Sequence, residues 1–539
     1  MPRAPRTGQL NLLWTLLLAA ASTIVLLVAL LYVGGPRVDD TTRVLRVYCA
    51  AGLRFPLEEV ARKYEEEFGV VIEPQYGGSN TLLNQLEIDK FTHVDLYLAA
   101  DEFYTTAARE KGLAAEVFSL ASMRPVLAVR QDSGLQIESF ANIIEGDLSI
   151  AVAHPDQASI GQTSYERLSE RPFGDTNMWE ALDQHITQQR RGVYKPTVND
   201  VASDIRLGSV DAGIIWDSTV AMPTFREELQ AIALPELDGE PMQISLCVLN
   251  ASRQPGAALK FARYLTARDR GLPVFAAYGM EPVEGDVWAE RPEINFFCGA
   301  VNRRAVEEIV LQFERREGVV VNTIYDGCGI LTSRMETIDG QSTTHGFPDI
   351  YMACDLYYLE NVRSWFQNAA NVSETDIVIA VPKGSTRVRD LSDLVKPGIR
   401  VAVGEPDQCT IGALTRRLLV DAGLYDELMA KQQRDGEVVV EKSSSALLVP
   451  DVVTGHVDAA VAYITDVMPN RDRVDVVRIQ SPLNRAVQPL SIARSSRHKH
   501  LARRLFQRIA ESPEAFEQVG FRFRGMEPGV FEDPPEEEL

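Results

Sequence analysis

The sequence predicts an α/β protein made of two tandem units of one fold, each of two α/β lobes, behind an N-terminal membrane-spanning helix. Three observations carry this. The 539-residue chain repeats its own order of motifs at a spacing near half its length. Within each half, short apolar strands alternate with amphipathic helices, the pattern of largely parallel sheets covered by helices. Ahead of both halves runs one long apolar stretch, Leu12 to Val33.

Composition bounds the rest. At roughly 100–200 residues per domain, the length implies about three to four folding units. Lys plus Arg number 54 against 76 Asp plus Glu, a net charge of −22. That balance excludes a non-specific nucleic-acid partner, which needs a basic face. It does not exclude an anionic ligand, because a pocket of neutral donors works at any global charge. With 45% hydrophobic and 24% charged residues, the chain is not largely disordered. Six cysteines are too few to staple a scaffold of this size.

From the N-terminus, residues 1–11 read as a cytoplasmic segment and 12–33 as an uncleaved signal anchor. The apolar run is broken only by Thr15, Ser22 and Thr23, and it is long enough to cross a bilayer as a helix. Arg3 and Arg6 precede it and no acidic residue comes before Asp39, so positive charge faces the cytoplasm. The expected location is therefore the cytoplasmic membrane, crossed once, with the bulk of the chain in the periplasm or extracytoplasmic space. A cleaved signal peptide is the competing reading. Its apolar region would be shorter and followed by a small-x-small site, which is not found after Val33.

The repeat follows. Val47-Tyr48-Cys49-Ala50-Ala51 is echoed by Phe296-Phe297-Cys298-Gly299-Ala300, and Tyr76 and Gly78 by Tyr325 and Gly327. These share one register, since 298 − 49 and 325 − 76 both give 249. Asp95-Leu96-Tyr97 returns as Asp349-Ile350-Tyr351, Pro155-Asp156-Gln157 as Pro406-Asp407-Gln408, and Val210-Asp211-Ala212 as Val457-Asp458-Ala459. A repeat this long is a whole domain rather than a solenoid unit. The units are placed at 43–285 and 293–527, with a junction near Glu284 to Pro292 and an acidic tail at 528–539. Leu57, Val60, Ala61, Tyr64 and Phe68 follow helical spacing, and Val306, Ile309, Val310 and Phe313 repeat the stripe; both read as core. Val44 to Tyr48, Val70 to Pro74, Val94 to Ala99 and Val126 to Val129 read as strands. In such sheets ligands sit beyond the C-terminal strand ends, where turns lead into helix N-termini.

The turns Tyr48-Cys49-Ala50-Ala51-Gly52-Leu53, Tyr76-Gly77-Gly78-Ser79-Asn80-Thr81-Leu82 and Asp95-Leu96-Tyr97-Leu98-Ala99-Ala100-Asp101 occur in that order. This set resembles the molybdate-binding solute receptors of ABC transporters, which have the type II periplasmic-binding fold. The resemblance covers both repeats. It implies two lobes per unit, joined by crossing strands and closing on a tetrahedral oxyanion. Neutral donors suit such a ligand: helix N-termini offer backbone N–H groups and partial positive charge, hydroxyls add donors, and glycine lets the backbone approach.

Carried residue by residue, Ser79 matches the second family serine, with Asn80 and Thr81 at the helix start; an N-capping role is the simpler reading for Thr81. Gly52 stands where the first family serine would be. Ala100 closes the strand end, Ile160 after Ser159 takes the place of a backbone donor, and Val201 that of a pocket valine. Trp216 replaces the cleft tyrosine. Asp217 beside it has no family counterpart and reads as a surface residue.

The second repeat departs further. Its serine positions are Val301 and Cys328, its strand end is Ala353-Cys354-Asp355, and its second-lobe turn is Cys409-Thr410-Ile411-Gly412. Tyr463 matches the family tyrosine. By this mapping Cys298, Cys328, Cys354 and Cys409 all fall on cleft-facing turns. Three readings stay open: a soft metal ion or iron–sulfur cluster, two disulfides, or packing by small apolar thiols. A Cys49–Cys247 pair is a further option. No C-x-x-C, P-loop, His-Glu-x-x-His or Gly-x-Ser-x-Gly motif occurs, and no base–nucleophile pair can be named, so an enzyme is not expected.

The expected function is a membrane-anchored solute receptor for molybdate or a similar oxyanion, serving an ABC permease. The alternative is an extracytoplasmic metal or redox protein using the cysteine-lined second cleft. No cofactor is fixed by the residues.

Overall fold

The computed structural model describes residues 43–88, 93–338 and 346–528. Residues 1–42, including the 12–33 stretch, and the tail from 529 lie outside that range. The expected single-pass membrane location is corrected by the following finding. Among the described residues no helix is long and apolar enough to cross a membrane. The helices Arg54–Phe68 and Arg303–Glu317 have 15 residues each and carry charges along one face, against about 20 apolar residues for a span.

The first unit has two main sheets, besides a two-stranded hairpin of Pro172–Phe173 and Thr176–Asn177. In one, the strand Arg43–Ala50 lies between Val70–Gly77 and Leu96–Ala99, parallel to both. Met242–Leu249 then adds antiparallel to Leu96–Ala99, followed by Ala114–Met123 and the short Glu281–Pro282. The other sheet runs in the order Leu229–Ile232, Pro125–Arg130, Ala212–Trp216, Ile150–Ala153, Gly192–Lys195. The chain passes from the first lobe to the second at Arg124 and returns before Met242, so two crossings form the hinge.

Local sequence explains the elements. The helix Arg54–Phe68 buries Leu57, Val60, Ala61 and Tyr64, one apolar stripe at helical spacing. It stops at Gly69, whose φ of 65° lets its N–H return to Glu65 O at 2.8 Å. Arg303–Glu317 buries Ala305, Val306, Ile309, Val310 and Phe313 and stops at Gly318 in the same way. Equal length, stripe and stop in both halves show the repeat in three dimensions.

The second unit repeats the order with one difference. Glu293–Gly299 pairs in parallel with Val320–Asp326 and Ile350–Met352. Arg485–Ala493 joins antiparallel to Ile350–Met352, and Val401–Gly404, Val439–Lys442 and Ala459–Tyr463 build the second lobe. Here the crossing strand is one continuous 17-residue element, Phe366–Pro382, so both lobes share a single sheet. The first unit breaks at the matching place because Trp216 opposes Pro125, whereas Tyr463 opposes Ile377. Ile377 donates its N–H to Asn484 O at 2.7 Å; Pro125 has none to give.

The units meet along the helices Pro255–Leu265 and Arg303–Glu317. Glu317, 1% exposed, sits between Arg263 of the first unit at 2.9 Å and Arg504 at 2.6 Å. Burial raises the Glu317 carboxyl pKa, but the two guanidinium groups outweigh it and hold the group below its ordinary range. Arg316 reaches Glu116 across the same seam, with contacts of 2.8 and 3.0 Å.

Candidate functional site

The first unit's cleft lies where the sheets' C-terminal strand ends face each other. Its wall is Ala50, Ala51, Gly52, Gly77, Gly78, Ser79 and Ala100 from one lobe, and Ala158, Ser159, Ile160, Thr197, Val198 and Trp216 from the other. No charged side chain is among them. Three helices begin at this wall: Ser79–Ile88, Ser159–Ser169 and Val198–Arg206. The first-turn N–H groups of a helix lack intrahelical partners and carry partial positive charge, so the cleft is an anion-favouring surface built without cations.

Ser79 is 1% exposed and held on both sides. Its backbone carbonyl accepts from the Tyr97 hydroxyl at 2.7 Å, and its Oγ accepts from the Ala100 N–H at 3.3 Å. The hydroxyl thus enters the cleft wall with its own proton uncommitted. Thr197 is different: its hydroxyl donates to Asp200 Oδ2 at 2.6 Å and caps the helix that follows. Asp101, next to Ala100, accepts from the Phe103 N–H at 2.9 Å as an N-cap; burial pushes its carboxyl pKa up to about 6.

The lobes are shut. Only about 10 Å³ remains between them, no more than a single water needs. Two side-chain bonds latch them across the cleft: Asn80 Nδ2 donates to Asp156 O at 2.8 Å, and Asn199 Nδ2 to Ala51 O at 2.7 Å. Gly78 makes this closure possible, since a Cβ there would stand 2.0 Å from Gln157 O. Gly52 does the same against Val198 Cγ1, at 3.0 Å from the absent Cβ.

The structure brings together Gly52, Ser79, Ala100, Ile160 and Trp216 at this wall. Asn80 contributes a latch. Val201 lies one helical turn deeper, packed towards Gly213 in the second-lobe core, and Val198 takes the cleft position. Asp217 is half-buried rather than a surface residue: its Oδ1 accepts from the Arg124 N–H at 3.1 Å, at the crossing between lobes. Cys49 and Cys247 sit on opposite faces of one sheet, in different core clusters, so they do not pair.

In the second unit the same places are filled differently. The helix Cys328–Thr337 begins with Cys328, whose Sγ accepts from the Cys354 N–H at 3.1 Å, as Ser79 Oγ accepts from Ala100. The two sulfurs are 3.0 Å apart. Burial raises the Cys328 pKa, but hydrogen bonding with Cys354, through its thiol and its N–H, outweighs it and leaves the thiol below its ordinary range. Burial, then the neighbouring Cys328 sulfur, drives Cys354 well above that range. Tyr463 is buried close by, and neither its hydroxyl nor that of Tyr351 closes a normal hydrogen bond among the described residues.

The four cysteines do not converge. Successive strand residues point to opposite faces. A Cβ on Gly299 would stand 2.2 Å from Cys354 Sγ, so Gly299 faces the thiol pair and Cys298 faces away, into the core. Cys409 directs its sulfur at Glu405 O and Lys442 O, at 3.5 and 3.4 Å, within its own lobe. Among the described residues, no group of three or more His, Cys, Asp or Glu is placed to hold a metal ion. All six cysteines are unbridged.

The family described as bacterial extracellular solute-binding protein matches the chain twice, at residues 45–281 and 294–522. The chain belongs to that family. A binding protein of Haemophilus influenzae is 25% identical over 241 residues, covering 44% of this chain and 91% of its own. The ABC transporter substrate-binding lipoprotein YvgL of Bacillus subtilis is 27% identical over 264 residues, covering 48% and 95%. The molybdate-binding protein ModA of Mycobacterium tuberculosis is 24% identical over 187 residues, covering 34% and 65%. The first two relatives are spanned almost whole by under half of this chain, so this solute-binding protein carries two receptor-sized units. As a member of this family it is a transport receptor of the ABC type and not an enzyme.

Proposed function

We propose that the first unit is the working receptor, that its ligand is molybdate or a similar tetrahedral oxyanion, and that an ABC permease takes the ligand from it. The observation that carries this reading is the uncharged wall on which three helix N-termini meet the uncommitted proton of Ser79. Such a wall offers neutral donors and no charged group, which suits an ion with four acceptor oxygens and disfavours a cation. The likeness to a molybdate-binding protein supports the same ligand class. With about 10 Å³ between the lobes, entry requires the Asn80 and Asn199 latches to open.

The second unit lacks that hydroxyl. Val301 and Cys328 occupy the two serine places, so one oxyanion site per chain is expected. Calorimetric titration of the protein with molybdate, tungstate and sulfate tests the reading. One site per chain for at least one ion is the expected result. Folded protein giving no heat with all three rejects it.

A further inference from the structure

The second cleft carries a group that oxyanion binding does not use. We propose that Cys328 and Cys354 are a reversible redox pair, converted to a disulfide by thiol–disulfide exchange with a disulfide oxidant when the second cleft opens. This inference does not rest on the oxyanion reading of the first unit.

Geometry selects these two among six thiols. Their sulfurs are 3.0 Å apart, about 1 Å from covalent bonding distance, with no partner atom between them. Cys328 opens a ten-residue helix and accepts the Cys354 N–H, an environment that favours a thiolate nucleophile. The surroundings are fitted to the pair. Position 50 is alanine where the first unit holds Ser79 and Ala100, but position 299 is glycine where the second unit holds two sulfurs. A Cβ there would stand 2.2 Å from one sulfur and 2.7 Å from the other. The remaining thiols are turned away: Cys298 to the core, Cys409 to carbonyls of the far lobe, Cys49 and Cys247 to opposite faces of the first unit's sheet.

The chemistry balances as an exchange. The Cys328 thiolate attacks one sulfur of the oxidant R–S–S–R, forming a mixed disulfide and releasing R–S⁻. Cys354 gives its proton to that leaving group and attacks the Cys328 sulfur, releasing the second R–S⁻. The protein loses two electrons and the oxidant leaves as one thiol and one thiolate, the Cys328 proton having gone to solvent when its thiolate formed. Cys328 is fully buried and Cys354 is 4% exposed, and the opposite lobe closes on the start of the Cys328 helix, where a Cβ on Gly329 would stand 2.4 Å from Asp407 O, so the oxidant reaches the sulfur only in the open form.

The test uses the full chain and oxidised glutathione. Samples are quenched with acid, unfolded, alkylated and mapped by mass spectrometry. The expected result is loss of two alkylatable thiols in a single peptide pair linking Cys328 to Cys354, regained on reduction. Cys298→Ser and Cys409→Ser retain the link. Cys354→Ser, in which the second step is blocked, accumulates a glutathione adduct on Cys328. Six alkylatable thiols after prolonged exposure would overturn the proposal, as would loss at Cys298 or Cys409 instead. Absence of the adduct in the Cys354→Ser variant would overturn the assignment of Cys328 as the attacking sulfur.

Discussion

Ser79→Ala separates the hydroxyl's role in the fold from its role towards ligand. The Oγ is the acceptor for the buried Ala100 N–H at 3.3 Å, so its removal leaves that donor unpaired, at a cost of about 1–3 kcal/mol in stability. Its own proton has no acceptor among the described residues, and the residue lines the cleft. A hydrogen bond to a charged ligand contributes about 1.5–3 kcal/mol, which corresponds to roughly a 10- to 150-fold rise in Kd. The repeat supplies the control. Cys328 Sγ accepts the Cys354 N–H at 3.1 Å from the matching position, so Ser79→Cys can keep the acceptor while replacing the hydroxyl donor with a weak one. Thermal unfolding and molybdate titration are measured on both variants. The expected outcome is that alanine lowers both readouts, whereas cysteine recovers most of the stability and little of the affinity. Ser79→Ala binding within twofold of the parent protein, or cysteine restoring affinity in full, would refute the argument.

Further outcomes follow from other parts of the molecule. Gly52→Ser pushes against Val198 Cγ1, 3.0 Å from the new Cβ, and weakens ligand binding; adding Val198→Ala relieves the contact and recovers affinity in the same titration. Glu317→Gln leaves Arg263 and Arg504 buried without a counter-charge and costs about 3–5 kcal/mol, read by calorimetric unfolding. Because the Glu317 pKa is depressed in the folded state, its stabilisation is present above the ordinary carboxylate range and is lost as pH falls through the lowered folded value, so parent and variant converge in acid. Asp101→Asn has the opposite profile. The folded pKa of about 6 lies above the unfolded value, so the ionised carboxylate destabilises the fold above pH 6 by about 3 kcal/mol. Asparagine keeps the N-cap and removes that penalty. The variant's gain in melting temperature is therefore largest above pH 6 and fades towards pH 4.

Much of the architecture is legible in the residues. The apolar stripes of the helices at 54–68 and 303–317, each closed by a glycine, announce both the elements and their repetition. Ser79 is legible because its turn sits between a strand and a helix start, where donors gather. Side-chain direction is harder to read. Val198 and Val201 share one face of a helix three residues apart, and only packing against Gly213 shows which one is core. The four thiols of the second half all map to turns near the cleft, yet the alternation of strand residues turns Cys298 away from Gly299's side. That period-two signal was present in the sequence. The inward turn of Cys409 was not, because it depends on carbonyls contributed by residues 405 and 442. Asp217 takes its role from Arg124, 93 residues earlier, a pairing that only the crossing of the chain creates.

The two crossing strands give the halves different hinges. At Pro125 the ladder lacks a donor, and a side chain, Asp217, bridges the gap; bending there sacrifices little. At Ile377 the ladder runs on unbroken, and spreading the lobes must strain a continuous ribbon of 17 residues. Opening the second unit therefore works against a ladder that the first unit's hinge does not have.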